Sequence, residues 1–334
     1  MLGHGFRTHA ATRPGSFGFP VVNAAGTRTR LGAFNIGMSS RTYVLAAALA
    51  ALLVLGAGGT ALVSPASTIA ACAAMLLFGL PHGALDLEII KRERDTGRLG
   101  MVALLFLYVA LAAAMAAVWH MAPVTALAIF LVVSVVHFSE DWHELRSPFL
   151  AQGMAIALLT APTLLHLAEL EELFATLSGQ SDAAVVANLM LLLAPVSLAV
   201  ASVAVWTLWR TGFRNQAVVG ALMLVGMAVL PPVIGFALFF CLYHSPRHLG
   251  VALSRVAWSP SSWWIVPLVT LAAIGIAVAL FAGDVRADLP AQFVAASFMT
   301  LSLLTVPHMI VPAVVDALSL RPSSALHRHA RITA

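Results

Sequence analysis

Charge is scarce in this chain of 334 residues, because only 10% of the residues are charged and 60% are hydrophobic. Soluble domains carry about 25% charged residues. A mean hydropathy of +0.94 excludes an ordinary soluble fold, and it excludes disorder for most of the chain, since disorder needs low hydrophobicity. The short alternating segments of a transmembrane β-barrel are also lacking. The sequence therefore predicts an all-α protein, a polytopic bundle of transmembrane helices.

Cysteine is the second scarce residue. The two cysteines, Cys72 and Cys241, both lie in apolar runs and imply no disulfide framework, so they are expected to be packing residues. The net charge of +4 resembles that of a nucleic-acid-binding protein, but the basic residues lie in short loops between apolar runs. That placement is typical of the positive-inside rule, and no nucleic-acid partner is expected.

Long apolar runs make up most of the chain, and a transmembrane helix needs about 20 such residues. We predict about ten spans, with eight as the lower bound. The apolar segments are 42–63, 67–90, 100–119, 124–142, 150–168, 184–209, 216–230, 233–256, 262–282 and 291–318. The seventh segment is short and ends at Pro231-Pro232, so it either spans a thin point or forms a kinked unit with the eighth.

The distribution of charge orients these spans. With both termini in the cytoplasm, every Lys and Arg except Arg247 and Arg286 falls in the tails or on the cytoplasmic side. The outer side then receives an acidic loop made of Glu169, Glu171, Glu172 and Asp182. Residues 1–41 hold five arginines and no acid, and are expected to be a disordered basic tail, unless Met38 is the true start. Residues 42–320 form the bundle, and 321–334 a cytoplasmic tail.

Histidine is unexpectedly common inside the apolar runs, where an ionisable side chain indicates function. Eight of the 12 histidines lie outside the tails, and five of them fall in one layer, roughly 8–18 Å below the cytoplasmic helix ends at 1.5 Å per residue. These five are His82, His137, His244, His248 and His308. His120 and His166 fall near the outer ends and are expected to be interfacial. The layer predicts an intramembrane metal site built from several histidines.

The pair His244 and His248 is the most specific pattern. Its i,i+4 spacing places both imidazoles on one helix face, which suits two ligands of one metal. Pro246 between them is expected to kink the helix and free a carbonyl group. His308 is open to three interpretations: a ligand, a hydrogen-bond partner of a ligand, or a packing residue.

Several charged residues are candidates to support the ligands by hydrogen bonds or ion pairs. Asp86 lies one turn after His82. It either accepts a hydrogen bond from an imidazole and orients it, or forms ion pairs with the basic residues at 91 and 92. Arg247 is deep for an arginine and needs an acidic partner, for which Asp86, Glu140 and Asp141 are the candidates.

Glu140 and His143 also form a Glu-x-x-His motif, the spacing of di-iron helix bundles. No apolar segment holds a second such motif. A solvated cluster at the cytoplasmic end is the ordinary alternative.

The histidine ligands narrow the choice of metal but do not identify the reaction. Imidazoles suit zinc, copper, iron and nickel. Four histidines on zinc would make a closed, structural site, whereas on iron they would leave two of six positions for dioxygen or water. The residues alone thus indicate a redox site for an apolar substrate.

Four motifs together resemble the Brp/Blh family of membrane β-carotene 15,15′-dioxygenases in order and spacing. They are Gly79-Leu80-Pro81-His82-Gly83-Ala84-Leu85-Asp86, His137-Phe138, His244-Ser245-Pro246-Arg247-His248 and Thr305-Val306-Pro307-His308-Met309-Ile310. The resemblance covers about 70–320. It implies that Fe(2+) and dioxygen cleave the central double bond of β-carotene to give two all-trans-retinal, which typically supplies a rhodopsin.

The resemblance also implies the ligands and the location. The family's iron ligands fall on His82, His137, His244 and His248, and the enzyme would be a multi-pass protein of the inner (cell) membrane among its lipids. Two other classes stay open. A proton- or metal-coupled transporter with a histidine relay would favour internal repeats and polar residues at many depths. Another histidine-rich membrane oxygenase, such as a desaturase, would favour adjacent His-His pairs, which this sequence lacks.

Overall fold

The computed structural model describes residues 39–57, 60–83, 98–255 and 288–319, and the single residues 90, 271, 275 and 279. This described part is helical and contains no strand, as the composition predicts. Its helices are α1 (Ser40–Ala57), α2 (Pro65–Gly83), α3 (Arg98–Met121), α4 (Pro123–Ser139), α5 (Pro148–Thr160), α6 (Thr163–Ser178), α7 (Ala184–Arg210), α8 (Arg214–Val229), α9 (Pro232–Phe239), α10 (Ser245–Arg255) and α11 (Leu289–Ser319). Short 3₁₀ segments lie at Thr60–Val63, Glu140–Leu145 and Ser181–Ala183.

Four of these helices are long and apolar enough to cross a bilayer. They are α3, α4 with the 3₁₀ turn that follows it, α7 and α11. A fifth span results if α5 and α6, which meet at 68°, are counted as one bent span. The all-helical architecture is therefore confirmed, together with four or five candidate spans. Ten spans stay a prediction, because several predicted segments form shorter helices and 262–282 lies almost wholly outside the described residues.

The bend between α5 and α6 differs from the straight span expected over 150–168. Pro162 has no backbone N–H to continue the helix. The Thr163 hydroxyl donates to the Thr160 carbonyl oxygen at 2.7 Å, and the Thr160 hydroxyl lies 2.9 Å from that of Ser197 on α7. These contacts satisfy polar groups that the break exposes, which the apolar interior requires.

The same bend changes the environment of the acidic residues expected in an outer loop. Glu169, Glu171 and Glu172 lie on α6, which runs to Ser178. Glu171 accepts a hydrogen bond from the Asn188 side chain on α7 at 2.8 Å. The predicted acidic loop is therefore wrong for these three glutamates, which lie on a helix of about four turns that follows the bend. Asp182 lies in the 3₁₀ turn after this helix.

Four helices bring the histidine layer together. α11 packs against α2, α3 and α4, and α10 packs against α2. The indole N–H of Trp119 on α3 donates to the Ser302 hydroxyl on α11 at 2.7 Å. The packing places α11, which carries His308, beside α4, on which His137 lies.

A π-helical turn at Phe240–His244 joins α9 to α10. The Ser245 N–H donates to the Phe240 carbonyl oxygen, five residues back, and Pro246 next to it has no N–H to donate. Such single-turn bulges widen a helix locally and are frequent at functional sites. His244 ends this turn, so the irregular backbone sets its direction.

Candidate metal centre

Four imidazole rings meet at the centre of the layer. The ring centroid of His137 lies 4.6 Å from that of His244, 5.1 Å from that of His248 and 5.0 Å from that of His308. The centroids of His244 and His248 lie 4.4 Å apart. His137 and His244 are buried, with 2% and 0% exposure. The structure thus brings together four of the five histidines that the sequence places at one depth.

Asp141 lies beneath two of these rings and is fully buried. The Nδ1 atom of His244 lies 2.7 Å from Asp141 Oδ2, and Nε2 of His248 lies 3.3 Å from Asp141 Oδ1. The carboxylate therefore makes a hydrogen bond with His244 and an ion-pair contact with His248. A histidine whose N–H donates to a carboxylate presents the lone pair of its other ring nitrogen, which is the form that binds metals.

The donor atoms fit a metal ion. Nε2 of His244 lies 3.0 Å from Nε2 of His137. Two imidazole nitrogens bound at right angles to one metal, with bonds of about 2.1 Å, lie about 3.0 Å apart. Ligand atoms of Asp141, His244 and His248 also lie within 4.8 Å of one another. Asp141 is thus placed either to orient the imidazoles or to be a ligand itself.

The fourth expected ligand, His82, is the penultimate residue of α2, and its side chain lies outside the described residues. Its place in the chain is nevertheless close to the site. The Ser245 hydroxyl, next to His244, donates to the carbonyl oxygen of Phe78, which lies one helical turn before residue 82. Asp86 lies outside the described residues.

Both side chains of the Glu-x-x-His motif are exposed. Glu140 is 53% exposed, with Oε2 at 3.7 Å from Nδ1 of His137. His143 is 66% exposed, and its Nδ1 lies 3.1 Å from the guanidinium of Arg247. No second motif of this kind occurs in the sequence, and the geometry favours a solvated cluster over a di-iron site. Glu140 remains within reach of His137.

Arg247 has an acidic partner that the sequence analysis did not name. Its Nη2 atom lies 2.6 Å from Oε1 of Glu144, and both side chains are largely buried. Among the described residues, Glu144 therefore takes the role expected of Glu140 or Asp141. The reason is the 3₁₀ turn, in which residues three apart lie on the same face, so Glu144 lies on the face of Asp141.

Two further residues complete this contact. The Gln216 amide donates to Glu144 Oε1 at 3.1 Å, and the Tyr243 hydroxyl donates to the backbone oxygen of Asp141 at 3.3 Å. The sequence signal for Glu144 is its spacing: it lies three residues after Asp141, as Arg247 lies three after His244. Gln216 has no comparable signal, because it joins the site only through the packing of α8.

Aromatic rings surround the buried histidine. The centroids of Phe138, Phe240 and Phe239 lie 4.8, 5.4 and 5.9 Å from that of His244. Phe236 continues the row, 5.5 Å from Phe240 and 5.4 Å from Phe298 on α11. Apolar walls around the site are expected from the sequence, but these particular residues are not, because the tertiary packing decides which phenylalanines contact the histidine.

Four imidazoles meet beside one buried carboxylate, in an all-helical protein with several helices long and apolar enough to span a bilayer, and they form a candidate metal centre. The family model of beta-carotene 15,15′-dioxygenase matches residues 73–316, so the chain belongs to this family. The membership confirms that the protein is an oxidoreductase enzyme and that the resemblance noted in the four motifs is genuine.

Two relatives cover much of the chain. The beta-carotene 15,15′-dioxygenase of an uncultured marine bacterium, 66A03, is 28% identical over 258 residues, which are 72% of this chain and 91% of that protein. The probable beta-carotene 15,15′-dioxygenase Blh of Halobacterium salinarum is 29% identical over 211 residues, 54% of this chain and 61% of that protein. No solved structure matches this chain.

Proposed function

We propose that this protein cleaves the central 15,15′ double bond of β-carotene with dioxygen and releases two molecules of all-trans-retinal. The observation that carries the proposal is the group of four imidazole rings around Asp141, with neighbouring centroids 4.4–5.1 Å apart. The relatives' names supply the reaction, and the apolar setting supplies the reason, because a carotenoid dissolved in the bilayer reaches such a site without entering water.

The metal in this proposal is Fe(2+), held by His82, His137, His244 and His248. Iron supplies the one-electron chemistry with dioxygen that side chains cannot provide. Asp141 fixes the tautomer of His244 by accepting from its Nδ1 atom, and its other oxygen lies 3.3 Å from Nε2 of His248. His308 lies beside His137 and supports the cluster, whereas Glu140 and Asp86 are candidates to orient His137 and His82.

The row of phenylalanines is proposed to bind the polyene. Phe138 and Phe240 contact the buried His244, and Phe236 extends the row toward Phe298. Flat aromatic faces give a long hydrocarbon a contact surface without polar groups. They also keep water from the reacting double bond, which limits side reactions.

The proposed location is the inner (cell) membrane, among lipids and with both termini in the cytoplasm. Trp206 lies near the end of α7 and is 61% exposed. The Cζ atom of Arg210 lies over its ring, 5.5 Å from the ring centroid. Arg214 lies over Trp209 at the same distance. Tryptophan and arginine together are typical of the membrane–water boundary, on the side that the positive-inside rule assigns to the cytoplasm. Retinal would then pass to a rhodopsin.

The competing classes lose support. A transporter with a histidine relay needs ionisable groups along a path, whereas four histidines here converge on one point. A desaturase-like oxygenase needs about eight histidines, and the described residues gather four.

The test is reconstitution of the purified, detergent-solubilised protein with Fe(2+), β-carotene and air. The expected result is two retinal molecules for each β-carotene consumed. His248→Ala should lose bound iron and activity while still inserting into the membrane. His120→Ala, at an exposed site at the outer end of α3, is the matched control and should keep both. Asymmetric products, or full activity of His248→Ala, would overturn the proposal.

A further inference from the structure

A pair of contacts joins the 3₁₀ turn at Glu140–Leu145 to α10. In the first, Asp141 accepts from His244 at 2.7 Å, and its other oxygen lies 3.3 Å from Nε2 of His248. In the second, Glu144 accepts from Arg247 at 2.6 Å. Asp141 and Glu144 are three residues apart on one element, and His244 and Arg247 are three apart on the other. The two contacts therefore form parallel cross-links between the same two elements.

The turn that carries Asp141 is weakly held by its own backbone. It has six residues of 3₁₀ type, which have poorer hydrogen-bond geometry than an α-helix. Trp142 departs from helical angles within it, and Arg146 ends it in the left-handed region at φ 54°. Contacts from other elements must therefore fix the orientation of Asp141.

Three side chains outside the turn supply these contacts. Arg247 and Gln216 both donate to Oε1 of Glu144, at 2.6 and 3.1 Å. The Tyr243 hydroxyl donates to the backbone oxygen of Asp141, and its ring stacks on that of Trp142 with centroids 5.4 Å apart. Glu144 is 14% exposed and Arg247 22%, so water competes little with the ion pair.

We infer that the Glu144–Arg247 pair is a positioning device for the metal site. It holds the turn and α10 in the register that lets the two oxygens of Asp141 reach His244 and His248 separately. Neither Glu144 nor Arg247 contacts the metal or the substrate in this scheme. The inference rests on the proposed metal site, to which it adds two residues that set the geometry of the ligands.

The test measures metal binding directly, with Co²⁺ as the probe. The metal-stripped protein in detergent is titrated with Co²⁺, and the dissociation constant is read from the visible absorption of the bound ion. Loss of a hydrogen-bonded group behind a metal ligand typically weakens binding by 10- to 100-fold. We expect Glu144→Gln to weaken it by about tenfold, because Asp141 is retained but less well fixed. Thermal unfolding of the metal-free variant should stay close to that of the metal-free parent.

Two more variants keep the test decisive if Glu144→Gln folds poorly. Arg247→Lys keeps the charge but loses the planar fork, and should show a smaller loss of affinity. Glu144→Gln combined with Arg247→Lys should bind Co²⁺ no more weakly than the weaker binder of the two single variants, since both substitutions act on the same contact. Glu171→Gln is the matched control, because Glu171 is half-buried, bonded to Asn188 and lies on α6, and it should bind as the parent does.

The outcomes separate the two proposals. If the parent binds Co²⁺ and all Glu144 and Arg247 variants bind it equally tightly, the positioning role is wrong and the metal site stands. If these variants lose affinity only in proportion to a lowered unfolding temperature, the pair is merely structural and the inference is also wrong. If the parent itself fails to bind Co²⁺, the metal site and the positioning role both fall.

Discussion

The carboxylate of Asp141 lies 2.7 Å from Nδ1 of His244, and both side chains are fully buried. The contact joins the turn after α4 to the turn before α10, two elements more than a hundred residues apart in the chain. It directs Nε2 of His244 at Nε2 of His137, 3.0 Å away. The carboxylate thereby turns an ordinary buried histidine into a candidate ligand.

Asp141→Asn should reduce metal binding and cleavage strongly. The amide keeps the shape of the side chain but removes the negative charge that faces both His244 and His248. We expect metal affinity to fall by about 10- to 100-fold, measured as iron retained after purification. Asp182→Asn, at an exposed position in the 3₁₀ turn before α7, should retain its iron. An iron-replete, fully active Asp141→Asn protein would show that the carboxylate is dispensable.

His308→Ala should impair the enzyme without abolishing it. The ring of His308 lies 5.0 Å from that of His137, so its loss leaves a gap beside a ligand while the expected four ligands remain. A fall in kcat of about tenfold, with most of the iron retained, is expected for a group that supports a ligand. Complete loss of bound iron would instead identify His308 as a ligand.

Gly153→Ala should destabilise the contact between α5 and α7. A Cβ atom at Gly153 would overlap the Val200 side chain, and overpacking of this kind typically costs about 1–3 kcal/mol. Thermal unfolding in detergent measures the effect. Val200→Ala in the same chain should recover much of the loss by clearing the space. Gly275→Ala, whose Cβ would meet no atom within 4 Å among the described residues, is the control, and an equal loss there would point to a cause other than overlap.

Deletion of residues 1–37 should leave retinal production unchanged. The matched family region begins at residue 73, and the site residues all lie beyond it. Retinal formed per milligram of membrane protein compares the shortened and full chains. A fall in cleavage at equal expression would assign the basic tail a role in the reaction.

The sequence predicts much of this site because membrane depth constrains position. An apolar helix has a fixed rise, so the distance of a histidine from a charged loop estimates its depth. Depth estimated in this way places four histidines in one layer, and their rings meet in the structure. They are His137, His244, His248 and His308. The i,i+4 spacing likewise predicts that His244 and His248 share a face, as their 4.4 Å separation shows.

Irregular backbone explains what the sequence does not predict. The 3₁₀ turn after α4 rotates Glu144 toward Arg247, and a reading based on α-helical depth favours Glu140 or Asp141 instead. The π-turn that ends at His244 has no periodic signal in the sequence, although Pro246 indicates a break in the helix there. The bend at Pro162 similarly carries the predicted acidic loop onto α6.

The most direct test is expression in bacteria that accumulate β-carotene, followed by extraction and separation of the pigments. The parent should bleach the cells and yield retinal. His82→Ala should leave the cells coloured, while His120→Ala should bleach them as the parent does. Unchanged colour in cells that contain well-inserted, iron-loaded parent protein would contradict the central claim that this site cleaves β-carotene.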